Sequence, residues 1–134
     1  MMLIDANILM YAAGAKHPNK QPSVRLLERV AEGSVAATID ADPLQEIQHR
    51  YRAIKRWADG RTVFDLARQL FPDVIPVTAQ VLDRARTLLD GSASLMARDA
   101  LHAAVVLDEG LDGIYSYDRD FDRIPGIRRL EPGR

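Results

Sequence analysis

Residues 1–11 read MMLIDANILMY, and within this apolar run two side chains, Asp5 and Asn7, are polar. A short, continuous apolar run that lacks alternation reads as a strand buried on both faces, the pattern of a parallel sheet. Residues 2–5 are therefore expected to form a strand. Ile8, Leu9, Tyr11 and Ala12 then predict a short helix stopped by Gly14. A carboxylate at such a junction either caps the helix or begins a site.

Working outward, AKHPNKQPS (15–23) is a polar loop, and from Ser23 the residues Val24, Leu27, Val30 and Ala31 recur at helical spacing, with Gly33 where a C-cap belongs. VAATID (35–40) predicts a second strand. DPLQEIQHRYRAIKRWADG (42–60) predicts one helix, with Asp42 as N-cap, Pro43 at the first helical position and Gln45 closing a capping box. Its apolar stripe is Leu44, Ile47, Tyr51, Ile54 and Ala58. A further helix is expected over 62–71, and DVIPVT (73–78) as a third strand pushed to an edge by Pro76. Thr78 caps a helix running to Asp90, and another spans Ser94 to Glu109. GIYSY (113–117) is a fourth strand, DRDFDRIPG a loop, and IRRLEP a short fifth strand. Strands alternating with helices predict an α/β fold, a three-layer α/β/α sandwich around a central, mostly parallel sheet of four to five strands. Residues 1–134 are expected to be a single domain.

Composition narrows the chemistry. The chain has no cysteine, which removes thiolate nucleophiles and thiolate zinc sites. Net charge is -1, so any attraction to nucleic acid must come from local patches. There is no basic leader before the first apolar run, and no run approaches the roughly 18 residues of a bilayer span, so a cytoplasmic protein is expected.

In a sheet of this kind, ligands bind beyond the carboxyl ends of the strands, where the returning helices also begin. Asp5 ends the first strand and Asp118 follows GIYSY, while Glu46 and Asp99 lie near the starts of their helices. All four acids therefore map to one edge. Ordinary uses exist for each: Asp5 or Asn7 as a cap, Glu46 paired with Arg50 at i+4, Asp118, Asp120 and Asp122 in a turn, Asp99 bridged to Arg98. Four carboxylates together repel one another unless cations intervene. Carboxylate and water oxygens suit Mg²⁺ or Mn²⁺, whereas His17, His49 and His102 lack ligand spacing and read as structural or surface residues. Such a site favours metal-assisted phosphodiester hydrolysis by an activated water. Asn7 would position a carboxylate or a water, and Ser116 would bond a phosphate or a water.

LIDANIL with Asp5, LQEIQHR with Glu46, ARDALHAAVV with Asp99 and YSYDRDFDRIPG with Asp118 resemble, in order and spacing, the four acidic motifs of PIN-domain ribonucleases, and more narrowly VapC-type toxins. The resemblance implies an Mg²⁺- or Mn²⁺-dependent endoribonuclease that forms a homodimer and is restrained by a cognate antitoxin. It implies that Asp5, Glu46, Asp99 and Asp118 are the metal-site carboxylates, with Asn7 and Ser116 in support. Asp122 is given a secondary role, and Asp40 and Asp42 capping and turn duties.

RNA near an acidic pit needs a basic rim, expected from Arg50, Arg52, Lys55 and Arg56 with Lys16 and Lys20. A partner surface is expected around Trp57, Val63, Phe64, Leu70 and Phe71. One rival reading is a haloacid-dehalogenase-like phosphatase, which would want an acid where Asn7 stands. Another is a non-catalytic PIN scaffold acting through its partner.

Overall fold

A computed structural model describes residues 1–133 of the chain. Four parallel strands, β1 (Met2–Ile4), β2 (Ala37–Thr38), β3 (Gly113–Tyr115) and β4 (Arg129–Leu130), form a sheet in the order β2-β1-β3-β4. The helices are α1 (Ala6–Ala13), α2 (Lys20–Glu32), α3 (Asp42–Ala53), α4 (Trp57–Leu70), α5 (Ala79–Asp90) and α6 (Ala97–Glu109). A 3-10 helix, Arg119–Arg123, follows β3.

Successive strand residues point to opposite faces, and β1 shows the consequence. Leu3 joins Ile114, Val81 and Ala85 of α5, and Ala103 and Val106 of α6 in one core. Ile4 joins Ile39, Ile8 and Leu9 of α1, Leu26 of α2, Ile47 and Tyr51 of α3 and Ala67 of α4 in the other. Helices thus cover both faces, giving the three-layer α/β/α arrangement. Because all strands are parallel, β1 and β3 end side by side, and Asp5 N–H donates to the Tyr115 carbonyl at 3.0 Å.

Several expected elements come out differently. Residues 73–78 do not form a strand. Only Ile75 pairs, bridging Asp40, with its N–H on the Ile39 carbonyl and its own carbonyl accepting from Ala41 N–H, both at 3.0 Å. Pro76 has no N–H to extend the ladder, and the chain turns at once toward Thr78, whose hydroxyl caps α5 by accepting from Val81 N–H at 3.2 Å.

The helix expected over 42–60 breaks in two. It ends at Ala53, Lys55 takes a φ of 58°, and α4 begins at Trp57. Ile54 and Ala58 are exposed rather than part of the stripe, because α4 folds back on α3. Gly60 lies inside α4 where the two helices touch. Asp42 is the first helical residue and not the cap. Its N–H is received by Asp40 Oδ1 at 3.0 Å, and no capping box forms. The 15–23 loop is shorter than expected, since α2 starts at Lys20, whose ammonium bonds the Gly14 carbonyl. Of the residues expected to form a partner surface, Trp57, Val63, Phe64 and Leu70 are partly buried against the core and Phe71 is 2% exposed. Among the described residues no helix is long and apolar enough to cross a membrane.

A Cβ on Gly60 would lie 2.4 Å from Tyr51 Cβ and 2.9 Å from Tyr51 Cγ. Helix propensity alone favours Gly60→Ala by about 1 kcal/mol, but overpacking costs roughly 1–3 kcal/mol, and Tyr51 Cβ is too close to its own backbone to yield. Gly60→Ala is expected to destabilise the protein in urea titration. A stabilised variant would mean that the α3–α4 contact is looser than described.

Candidate active site

Ser116 follows β3 and is fully buried. Its hydroxyl donates to Asp5 Oδ2 at 2.5 Å and accepts from Asn7 Nδ2 at 3.2 Å and from the Asp118 N–H at 3.0 Å. One proton and two lone pairs are thus all engaged. The hydroxyl is not free for a phosphate, contrary to its expected role, and it orients Asp5 instead. Asp5 occupies the N-cap position of α1 yet makes no side-chain cap bond, so its carboxylate serves this cluster.

Asp118 begins the 3-10 helix, and its Oδ1 accepts from the Asp120 N–H at 2.9 Å. That turn swings Asp120 inward. Asp99, in the first turn of α6 and 6% exposed, faces both, and one oxygen from each of Asp99, Asp118 and Asp120 lies within 4.8 Å of the others. Burial, with a hydrogen bond to Asp118 and the charges of Asp118 and Asp5, pushes the Asp99 carboxyl up to about 7 from its ordinary 3.8. Asp122, given a secondary role from sequence, is turned away. It makes a bidentate pair with Arg129 at 2.9 and 3.1 Å, which holds its carboxyl below the usual range. Asp120 and Asp122 are two residues apart in a 3-10 helix and so do not share a face, and Asp120 is the one whose oxygen comes near those of Asp99 and Asp118.

Glu46 projects from the second turn of α3 and pairs with Arg98 Nη1 at 2.7 Å, not with Arg50. Arg98 Nε also lies 3.3 Å from Asp42 Oδ2. Arg98 therefore ties the start of α6 to the start of α3 and leaves Asp99 without the arginine bridge that would have explained it.

Behind the acids sits a buried pair that sequence reading did not find. His102 and Asp40 are both fully buried, with Nδ1 and Oδ2 2.6 Å apart. His102 Nε2 lies 3.6 Å from both Asp5 Oδ1 and Asp42 Oδ2. Burial alone would lower this imidazole, but the bond to Asp40 and the charges of Asp40, Asp5 and Asp42 outweigh it and push it up to about 9. The protonated ring supplies a fixed positive charge against the rear of the cluster. The available signal was a histidine in an otherwise apolar helix, three residues after Asp99, with an unexplained acid at the end of the second strand.

Asp5, Asn7, Glu46, Asp99 and Asp118 line one cleft of about 1230 Å³, whose other reaches carry Lys16, His17, Arg50 and Arg56. Of the expected basic rim, Lys20 is spent on Gly14. Arg52 lies over the Trp57 ring at 5.5 Å, and neither Arg52 nor Lys55 lines the cleft. At the acidic end Glu46 Oε2 and Asp42 Oδ2 face the Arg98 guanidinium, and the buried Asn7 Oδ1 has no hydrogen-bond donor. An orphaned amide oxygen beside the carboxylates of Asp99, Asp118 and Asp120 is a hard-oxygen donor set that fits a divalent cation of the Mg²⁺ or Mn²⁺ type.

With this geometry in view, the PIN domain family model matches residues 2–127. The chain is 43% identical over 130 residues to Ribonuclease VapC13 of Mycobacterium tuberculosis, covering 97% of this chain and 99% of that protein. It is 32% identical over 118 residues to Ribonuclease VapC23 of the same species, covering 88% and 93%. Two solved structures share the fold: VapBC2 from Rickettsia felis bound to a promoter DNA fragment (TM-score 0.77, 21% identity, 97% of each chain) and FitAcB from Neisseria gonorrhoeae (TM-score 0.74, 16% identity, 98% of each chain).

The raised Asp99 carboxyl gives a signed expectation. The folded state holds a proton that the unfolded chain releases near 3.8, so native stability falls through this group as pH rises toward about 7. A cation that needs the carboxylate competes with that proton. Mn²⁺ should therefore raise the melting temperature more at about pH 7.5 than at about pH 5, and Asp99→Asn should remove most of the difference. An equal Mn²⁺ shift in Asp99→Asn would mean that the ion binds elsewhere.

Proposed function

The chain belongs to the PIN-domain family, and on that premise we propose that it is a divalent-metal-dependent endoribonuclease, the toxin of a toxin–antitoxin pair, acting as a single domain over residues 1–134. The observation that carries the reading is the meeting of Asp99 and Asp118 with Asp120, where Asp5, Asp99 and Asp118 form the acidic end of a cleft whose other reaches carry Lys16, Arg50 and the Arg56–Asp59 pair. Kinship with proteins named ribonucleases supports the reaction class.

Asp99, Asp118 and Asp120 would hold Mg²⁺ or Mn²⁺, with Asp5 and Glu46 beside them. The ion, when bound, supplies Lewis-acid stabilisation of charge on a phosphodiester and an acidified water at neutral pH. The other tasks fall to this chain's own groups. Ser116 holds Asp5 in one orientation, and Asn7 holds Ser116. Asn7 thereby occupies, as a hydrogen-bond donor, the place where a phosphatase of the rival class would need an acid. Asp99, with its carboxyl near 7, keeps or releases a proton according to whether a cation is present. His102 and Arg98 offset the negative charge from behind and from the rim, so that the fold survives before any cation arrives. The Ser116 hydroxyl is fully engaged and does not serve as a nucleophile. In this reading water is the attacking group.

RNA is the substrate that this reading implies, with Lys16 and Arg50 placed to meet phosphates along the cleft and Arg56 held by Asp59 at 2.8 Å. A cognate antitoxin and a second copy of the chain are the implied protein partners, and the cytoplasm the implied compartment.

The test is Mn²⁺-dependent cleavage of total RNA by purified protein and its variants. Asp99→Asn and Asp118→Asn should each lower kcat by at least about a hundredfold, and Asp120→Asn by about 10- to 100-fold. Asp122→Asn should stay within about twofold, since it breaks only an exposed ion pair. Cleavage that needs no divalent ion, or an Asp122→Asn loss equal to that of Asp120→Asn, would overturn the assignment.

A further inference from the structure

Away from the acids, the cleft carries a group of rings that the hydrolytic reading leaves unused. Tyr11, on α1, stacks on His17 with ring centroids 4.6 Å apart and planes inclined by 33°. Tyr117 and Tyr11 meet edge to face with ring centroids 5.3 Å apart, and Tyr117 immediately precedes Asp118. The three rings thus form a ladder that starts next to the acidic cluster and ends on His17, an exposed residue. Tyr11 and His17 line the same cleft as Asp5, Asp99 and Asp118, and Lys16 lies beside them.

This wall is held rigidly although it is a loop. His17 Nδ1 accepts from the Asn19 N–H at 3.0 Å, and the His17 carbonyl accepts from the Lys20 N–H at 3.0 Å. The Lys20 ammonium then closes the loop onto the Gly14 carbonyl. With Nδ1 so engaged the ring plane is fixed, and little conformational freedom remains to be lost on binding. From Asn7 to Tyr11 is one helical turn of α1, about 6 Å of axial rise, comparable with one nucleotide step of an extended strand.

Resting on the nuclease reading, we propose that the Tyr11–His17 wall is a nucleobase-stacking subsite: it receives the unpaired base next to the scissile phosphate, with Lys16 on the adjoining phosphate. Stacking on an aromatic face accepts any base, while a positive charge tracks the backbone, and the two together select single strands over duplexes. A base paired within a duplex presents no free face to His17. The subsite therefore restricts cleavage to loops, bulges and unstructured RNA.

The test uses Asp118→Asn protein without added divalent ion, in which cleavage is expected to be slow, and compares it with versions also carrying His17→Ala, His17→Phe or Lys16→Ala. Two probes are titrated: a fluorescent single-stranded oligoribonucleotide of mixed sequence, and inorganic polyphosphate, which has charge but no bases. His17→Ala should weaken oligonucleotide binding roughly tenfold and leave polyphosphate binding unchanged, and His17→Phe should restore it. Lys16→Ala should weaken both probes and reduce the salt slope by about one. Circular dichroism melting of each variant guards against loss of fold. The subsite is overturned if His17→Ala binds the oligonucleotide like its parent, if His17→Phe fails to restore binding, or if the parent does not bind the oligonucleotide. The nuclease reading fails separately, by absence of Mn²⁺-dependent cleavage in the protein that keeps Asp118.

Discussion

Too many carboxylates share one small volume, and the rest of the structure is organised around that repulsion. Asp5, Asp42, Glu46, Asp99, Asp118 and Asp120 arrive from four different segments, and buried like charges are costly unless each finds a compensating partner. The compensation is divided among distinct groups. The Ser116 hydroxyl takes one oxygen of Asp5, the Asp120 N–H takes one of Asp118, Arg98 spans Asp42 and Glu46, and protonated His102 faces Asp5 and Asp42 from the core. Asp99 is left with the least. Burial first, then the hydrogen bond to Asp118 and the charges of Asp118 and Asp5, raise its carboxyl.

The sheet makes this convergence possible. Its strands are only two or three residues long, too short to contribute much pairing energy, and their main role is to aim chain ends. Parallel order puts the exits of β1 and β3 side by side, and the two-faced core of α1–α4 on one side and α5–α6 on the other fixes those exits. The Asp40–His102 pair joins this frame to the site, since Asp40 also receives the first N–H of α3 through its other oxygen. One buried carboxylate thus sets the start of α3, the orientation of His102 and, through His102, the field on Asp5. The cleft continues this division: acids at the strand ends, and rings and basic groups along α1, the following loop and α3.

Much of the site could be read from residue order alone. Asp5, Glu46, Asp99 and Asp118 stand where topology sends residues to the carboxyl edge, and all four line the cleft. The choice between Asp120 and Asp122 was not legible, because DRDFDR looks the same whether it runs as a loop or as a 3-10 helix, and only the helix decides which acid turns inward. Nor was the Arg98 bridge legible: Arg50 sits one turn from Glu46 in sequence, but Arg98 reaches it across two helix starts. The break at Lys55 escaped periodicity for a similar reason. The stripe continues formally through Ile54 and Ala58, yet packing Gly60 onto Tyr51 stabilises two short helices over one long one.

Local chemistry therefore determined the kind of fold, the edge where function lies and the hard-oxygen character of the site, since apolar runs, caps and acid positions act over a few residues. The tertiary structure decided which atoms meet. Ser116 is a buried strut and not a substrate contact, Asp120 replaces Asp122, and His102 is a charged wall and not an inert core residue. These outcomes depend on distances between segments up to 111 residues apart, and on burial that converts ordinary side chains into strongly coupled ones. A linear pattern carries neither quantity.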